Sequence, residues 1–260
     1  MNKFIKCEVQ AKYGFDVDNC TQDDFLKVEE IIVSDVTMNH EYGEWDFSSF
    51  PNIKKIDCSF NPIDKLIVTS NSLLEEIRWE GARGNIGQLD FSFNPHLKKV
   101  KGGQDGLVEL DLSFNTEIET IELFLNSYFR WLNVDKCMNL KRIDLTGVNI
   151  PFIDLTHCSN LEYVNINYLN LYKQRRDEYG PGYPRPFIFV RSDFDDEVIP
   201  KETRELRDYT YILVRTAPNS KEVRILNTLK NQKDEIVSIP HDRYGENVAI
   251  KHYEILELLD

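Results

Sequence analysis

Side chains that could do chemistry are scattered along this 260-residue sequence rather than grouped. Its five histidines and five cysteines show none of the spacings that hold a metal ion, and there is no HExxH motif, nucleophile elbow or glycine-rich phosphate loop. An acidic run at 192–197 has the oxygen ligands that a cation prefers, but such a run is more typical of a solvated loop. The sequence therefore predicts no catalytic residue, no metal site and no cofactor.

The charge balance limits the kinds of partner. Lysine and arginine number 31 against 44 aspartate and glutamate, a formal net charge of −13. Nucleic-acid backbones and anionic membranes bind positively charged surfaces, so neither is expected as a partner. From residue 172 onward the chain has 15 basic and 17 acidic residues, so most of the negative charge lies in the part before it.

Cysteine use and the first residues favour a cytoplasmic location. The cysteines are odd in number and form no CxxC pair, as is usual for reduced thiols in a cytosolic protein. Residues 1–8 place charges around a few apolar side chains and lack the apolar core of a secretory signal. No apolar run in the sequence reaches the length of a membrane span. We therefore expect a cytoplasmic protein.

The strongest signal in the sequence is an internal period of 21–23 residues. Segments that read apolar, two variable, apolar, one variable, apolar begin at 53, 74, 97, 118, 140 and 161. A second set with the same pattern begins at 42, 63, 86, 107, 129 and 150, so the two sets share one period and the same insertion points. The twelve segments define 36 apolar slots, and only Gly102 fails to fill its slot with an apolar side chain.

This period predicts a solenoid of stacked coils, each with two short strands. The apolar slots alternate inward at the two-residue period of a strand. One coil cannot bury both of its faces, so successive coils must stack about 4.8 Å apart and share a core. Asparagines recur eight residues after a segment start, where stacked amides would satisfy backbone groups of the turns: Asn61, Asn71, Asn94, Asn115 and Asn126.

Segments 53–61, 86–95 and 107–115 resemble leucine-rich repeats, and their short period resembles the bacterial, internalin-like type. Segment 20–33 also resembles the start of such an array. The resemblance covers roughly residues 20–172 and implies an α/β-type solenoid dominated by short parallel strands. It also implies a protein-binding scaffold and transfers no catalytic residue. Several positions depart from the pattern by replacing asparagine, namely Ala82, Asp105, Val148, Leu169, Cys137 and Cys158.

The sequence divides into three parts. Residues 1–27 are predicted to cap the first coil, with a helix starting after Thr21, because an uncapped end exposes core and strand edges. Residues 28–172 are the repeat array. Residues 173–260 break the period after a Pro- and Gly-rich linker at 174–186 and are predicted to be a second cap or a small α+β or β-rich domain. Its expected elements are strands at 187–191, 209–215, 222–229 and 235–239, a turn at 217–220, and a helix or, less favoured, a strand at 248–259.

Outward-facing strand positions supply the candidate binding residues. Trp131 and Phe152 take the same outward slot on successive coils, and exposed aromatic residues are typical binding anchors. Phe124 and Tyr163 lie outward on the other set. The carboxylates of the repeats form a second candidate, an acidic strip that would steer a basic partner: Asp90, Glu109, Asp111 and Asp154. Two alternatives remain open, in which the strip is only a solvated face or the C-terminal part folds back over the aromatic residues.

Two further pairs on successive coils are expected to be structural. Phe93 and Phe114 precede stacked asparagines and are predicted to be a packing column at a corner of the coils. Cys137 and Cys158 share one slot. The spacing of the coils would allow a disulfide between them, but a column of buried thiols is favoured in a reducing compartment.

These features predict a non-enzymatic scaffold that presents a strand-built face to another protein. The first alternative is an acidic inhibitor or immunity-type protein that blocks a basic enzyme, because the negative charge is concentrated in the repeats. The second is an enzyme in which the repeats recruit substrate and residues 173–260 are catalytic.

Overall fold

The structure is a computed structural model that describes most of the first 165 residues and four strands beyond them. The described ranges are 1–33, 43–82, 84–104, 106–126, 128–148, 150 and 152–165, together with the backbone of 187–190, 211–215, 222–226 and 235–238. Residue 152 is also described by its backbone alone. The linker, the turn at 217–220 and the helix at 248–259 that the sequence predicts lie outside these ranges.

Seven parallel strands, one from each successive coil, form a continuous sheet. The second residue of each strand, from Ile31 to Val164, pairs in register with its counterparts and is buried, and the first residue is more exposed. This sheet confirms the first set of repeats. Its strands are β1 Glu30–Ile32, β3 Lys55–Asp57, β5 Glu76–Glu80, β6 Lys99–Gly103, β8 Thr120–Phe124, β10 Arg142–Asp144 and β12 Tyr163–Asn165.

The second set of repeats forms two-stranded parallel sheets instead of one continuous sheet. β2 Gly43–Asp46 pairs with β4 Ile63–Ile67, and β7 Glu109–Asp111 pairs with β9 Trp131–Asn133. The next strand, β11 Phe152–Asp154, follows one coil later. Inward side chains of both sets join one buried cluster, which includes Leu66, Leu89, Leu110 and Leu132. The predicted stack of coils around a shared core is therefore confirmed.

Four strands after residue 172 extend the sheet that contains β11. β13 Phe187–Val190 and β14 Tyr211–Arg215 continue it in parallel, and β15 Glu222–Leu226 and β16 Glu235–Ser238 add antiparallel strands. Phe187 and Tyr211 are partners in this ladder and lie 24 residues apart (211 minus 187), close to the repeat period. The boundary at residue 172 and the independent character of residues 173–260 stay predictions.

Two helices precede the first coil. α1 Lys3–Tyr13 buries Ile5 and Val9 and was not foreseen from the sequence, whereas α2 Gln22–Phe25 begins after Thr21 as expected. The Tyr13 hydroxyl accepts the backbone N–H of Glu30 at 3.0 Å and donates to the carbonyl of the same residue at 2.9 Å. One phenol thus satisfies backbone groups on edge strand β1. The described turns between coil strands contain no helix, and neither described helix is long and apolar enough to cross a membrane.

The one exceptional core slot, Gly102, is explained by its neighbour on the preceding coil. Trp79 and Gly102 are ladder partners in β5 and β6, and both are buried. A Cβ placed on Gly102 would lie 2.1–2.5 Å from atoms of the Trp79 indole ring. The large ring therefore fills the volume that an apolar side chain at position 102 would otherwise take, as close packing of the core requires.

We expect Gly102→Ala to destabilise the fold by about 1–3 kcal/mol, because the added methyl group overpacks this site. In a Trp79→Leu background the same substitution should cost much less, since the smaller side chain leaves room for the methyl group. Urea unfolding of the four proteins in this double-mutant cycle measures the coupling. Equal costs of Gly102→Ala in both backgrounds would contradict the explanation.

Candidate functional site

Six turns connect a second-set strand to the next strand of the seven-stranded sheet. We number them 1 to 6 as residues 49–54, 70–75, 93–98, 114–119, 136–141 and 157–162. Because the coils stack, equivalent residues of these turns form columns along the solenoid. The first residues of the turns form an outward column: Ser49, Ser70, Phe93, Phe114, Lys136 and His157.

The second residue of turns 2 to 4 is an asparagine that points inward and joins its turn to the preceding coil. The Asn94 side-chain amide donates to the backbone carbonyls of Val68 at 2.9 Å and Asn71 at 2.7 Å. Asn115 makes the equivalent pair of bonds one coil later, at 2.9 and 2.8 Å. These buried amides satisfy turn carbonyls that would otherwise lie unpaired in the core, which is the structural role that the sequence predicts for them.

In turns 5 and 6 a thiol replaces the amide at this inward position. Cys137 donates to the Leu112 carbonyl at 3.4 Å, and Cys158 donates to the Val134 carbonyl at 3.9 Å. Both are free thiols, not a disulfide. Burial raises the pKa of Cys137 to about 12 and also raises the pKa of Cys158. Neither thiol has the thiolate character that a nucleophile or metal ligand needs.

An apolar ridge runs along the outside of turns 3 to 5. Phe93 is 59% exposed, Phe114 is 55% exposed and Met138 is 61% exposed, and Pro95 beside them is also exposed. We call these four residues the ridge. The Lys136 ammonium lies 5.7 Å from the centre of the Phe114 ring, which places adjacent turns in contact. The expectation that Phe93 and Phe114 form a packing column is therefore wrong, because both rings point away from the core.

Phe124, Tyr163 and Trp131, three of the four aromatic residues that the sequence selects, lie on the sheet faces and are less exposed than Phe93 and Phe114. Phe124 is half-buried, with the Lys101 ammonium 5.5 Å from its ring centre. Tyr163 is half-buried under the guanidinium carbon of Arg142, which lies 3.7 Å from its ring centre. Trp131 is half-buried in β9.

The neighbouring strand β11 contains Phe152, whose backbone pairs with Phe187 of β13. The side chain of Phe152 lies outside the described part of the structure. The predicted grouping of Phe152 with Trp131 as binding anchors therefore stays a prediction.

The predicted acidic strip consists mainly of carboxylates that close turns. Asp90 accepts the backbone N–H of Ser92 at 2.9 Å, Asp111 accepts that of Ser113 at 2.9 Å, and Asp154 accepts that of Thr156 at 2.9 Å. Glu109 is exposed in β7. Aspartate commonly bonds the backbone two residues on in this way, so these side chains have a structural role whether or not they also meet a partner.

The acidic side chains of the described residues do not gather into a metal site. No group of three or more histidine, cysteine, aspartate or glutamate side chains in these ranges is placed to hold a metal ion.

A column of alternating charge runs beside the ridge. Its members are the last residue of each of the six turns and the residue before β1, which we call the charge ladder: Glu29, Lys54, Glu75, Lys98, Glu119, Lys141 and Glu162.

Each lysine of the ladder pairs with the glutamate of the preceding coil, as Lys98 does with Glu75 at 2.8 Å and Lys141 with Glu119 at 3.1 Å. The hydrogen bond from Lys98 lowers the pKa of the Glu75 carboxyl and raises the pKa of the Lys98 ammonium. The alternation extends to the next position, where Glu30 pairs with Lys55 at 3.2 Å. The charges along this edge of the sheet therefore largely compensate one another.

Three similar solved structures are internalins of Listeria monocytogenes. Internalin C2 is 13% identical, with a TM-score of 0.49, over 63% of this chain and 73% of its own. The functional domain of InlJ, which includes a cysteine ladder, is 21% identical, with a TM-score of 0.26, over 53% and 42%. Internalin F is 11% identical, with a TM-score of 0.25, over 83% and 89%. No protein-family model and no curated protein sequence matches the chain.

All three TM-scores lie below one half, so the assignment of the fold rests on the coils themselves. Their period, their in-register parallel strands and their inward asparagines decide it. The fold is a leucine-rich-repeat solenoid. Within it, turn positions beside the inward column can vary in side chain without disturbing the stack, and this is where the ridge lies.

Thiol alkylation tests the arrangement of the cysteines. We expect exposed Cys7 to react with iodoacetamide in the native protein, because the reagent can reach an exposed thiol. Buried Cys58, Cys137 and Cys158 should react only after the addition of denaturant. Peptide mass spectrometry measures the modification of each site. Equally fast labelling of Cys137 and Cys7 in the folded protein would contradict the buried column.

Proposed function

We propose that this chain is a non-enzymatic scaffold that binds another protein through the ridge of turns 3 to 5. The observation that carries the proposal is the exposure of Phe93 and Phe114 on successive coils of an otherwise highly charged molecule. Large aromatic side chains that lie more than half in water are typical anchors of protein interfaces.

The coil itself does not require aromatic residues at these two positions. Serine occupies the same place in turns 1 and 2, and Lys136 and His157 occupy it in turns 5 and 6. All six turns nevertheless follow one pattern, so the stack tolerates polar side chains here. Replacing Phe93 or Phe114 by serine should therefore change the stability of the fold little. Their apolar surface would instead stabilise a complex in which a partner covers it.

Exposed Phe60 provides an instructive contrast. Its backbone has a positive φ of 60°, and Gly81 occupies the equivalent position one coil later with a φ of 62°. A Cβ on Gly81 would lie 2.7 Å from the Phe60 ring, so this ring packs against the next coil. Phe60 is thus partly used by the solenoid, whereas the Phe114 ring lies against the Lys136 ammonium of the next turn.

The outward aromatic residues of the two strand sets are further candidate surfaces of the same proposal: Trp131 and Phe152 on one set, and Phe124 and Tyr163 on the other. Phe124 and Tyr163 are each covered on one side by a cation, which leaves less apolar area for a partner than the ridge offers. A cytoplasmic location belongs to the proposal as well and is supported by the free thiols of the core.

An acidic inhibitor of a basic enzyme is the alternative that a specific observation favours. The charges of the ladder nearly cancel, so the excess of acidic residues behind the net charge of −13 lies elsewhere in the chain. Part of it is the turn-closing aspartates Asp90 and Asp111, which lie close to the ridge in the sequence. These carboxylates would speed the approach of a basic partner. None of the described side chains favours the enzyme alternative.

Photocrosslinking tests the ridge directly. We expect p-benzoylphenylalanine placed at position 93 or 114 to form adducts with the same partner in an extract of the native cells. The same group at Ala11, which is exposed in helix α1 and lies outside the six turns, is the control and should give no such adduct. Phe93→Ser with Phe114→Ser should weaken binding of the captured partner at least about a hundredfold, since each buried phenylalanine contributes roughly 1.5–3 kcal/mol.

Two results would contradict the ridge as the binding surface. One is an identical set of adducts from positions 11, 93 and 114. The other is unchanged affinity of the captured partner for the double serine variant, provided that circular dichroism shows both proteins folded.

Salt dependence separates the scaffold from the acidic inhibitor. If the partner is basic and steered by carboxylates, the association rate should fall by about tenfold or more between about 0.05 and 0.5 M NaCl. Binding through the ridge alone should change little, because apolar contacts are not screened. Surface plasmon resonance with the captured partner measures the rate, and a flat salt profile would remove the inhibitor alternative.

A further inference from the structure

The two phenylalanines of the ridge and the charge ladder are both self-complementary when the order of the coils is reversed. The midpoint between turns 3 and 4 lies between the two phenylalanines of the ridge. Phe93 opens turn 3 as Phe114 opens turn 4, and both rings are exposed. Reversing the order of the coils about this midpoint therefore exchanges Phe93 with Phe114.

The same reversal places each charge of the ladder opposite its complement. Turn 3 exchanges with turn 4, turn 2 with turn 5, and turn 1 with turn 6. The residues brought together are Lys98 with Glu119, Glu75 with Lys141, and Lys54 with Glu162. The strict alternation ensures this outcome, because turns that exchange always differ by an odd number of coils.

We propose that a second copy of this chain binds to the ridge, with a two-fold axis that passes between turns 3 and 4. A two-fold axis that lies in the interface and runs across the coils reverses their order while each column meets its own counterpart. Phe93 of one copy then packs beside Phe114 of the other, and the two charge ladders face each other with opposite signs. This inference rests on the proposed function of the ridge and names its partner.

The expected dimer is weak. Six turns spaced about 4.8 Å apart give a contact strip roughly 24 Å long and one corner wide. Such a strip buries well under the roughly 800 Å² per partner of a standard interface. We therefore expect association in the range of about 10 µM to 1 mM, with a mass that rises with concentration from 30.5 kDa toward twice that value.

Charge exchange between two variants tests the symmetry. Lys98→Glu alone should weaken self-association at least about tenfold, because the new carboxylate at position 98 would face Glu119 at both symmetric contacts. Glu119→Lys alone should do the same by placing lysine against lysine. An equimolar mixture of the two variants restores opposite charges at both contacts and should associate as the wild type does. Sedimentation velocity over a concentration series measures each sample.

A second mixture serves as the matched control. Glu75→Lys combined with Lys98→Glu leaves one like-charge contact on each side of the axis, so this mixture should not recover. Each substitution also removes a surface ion pair within the chain, which has a small effect on stability, and melting curves check that all variants fold.

The outcomes separate the dimer from the proposed function. Recovery in the first mixture alone supports the dimer, and equal recovery in both mixtures overturns it. A wild-type mass of 30.5 kDa at every concentration also overturns it. If foreign adducts still form at positions 93 and 114 of that monomer, the scaffold function stands without the dimer. If no adduct forms either, both proposals fail.

Discussion

In-register stacking places every side chain beside its counterpart on the next coil, about 4.8 Å away. At that distance a large ring in the core needs a small neighbour, and a charged side chain is stabilised by a neighbour of opposite charge. The chain meets this constraint in two ways. In the core, Trp79 lies beside Gly102. On the surface, glutamate and lysine alternate from coil to coil, so that Glu75 is bonded by Lys98. Both arrangements follow from one geometric rule.

The same rule fixes the type of side chain at some positions of the coil and leaves it free at others. Inward residues must be apolar or, at the turns, must satisfy backbone carbonyls as Asn94 and Asn115 do. The first residue of each turn, just before this inward position, is under neither demand. Serine, phenylalanine, lysine and histidine all occur there, and the choice of phenylalanine at 93 and 114 is therefore informative about binding.

The period alone predicts β2 to β12, because each inward slot is required by the shared core. The exception is the segment that begins at 86, which forms only an isolated bridge between Gln88 and Glu109. The period did not show which way Phe93 points, since a residue next to an inward asparagine can face either the corner or the solvent. A comparison with Ser49 and Ser70 in the same column would have indicated solvent. Helix α1 was missed because its burial depends on distant contacts, such as the stacking of Phe4 on Trp45 at 6.3 Å. The bond that Asp111 accepts from Ser113 agrees with the alternative in which the acidic strip is a solvated face.

The change from asparagine to cysteine at the inward turn position has a mechanical consequence. Two short amide hydrogen bonds join each of Asn71, Asn94 and Asn115 to the preceding coil. The thiols of Cys137 and Cys158 make longer, weaker contacts with it. Cohesion between coils is therefore graded along the axis. When the solenoid is heated or mechanically stretched, the coils after turn 4 should separate and unfold first. The coils joined by asparagine amides should stay folded longer.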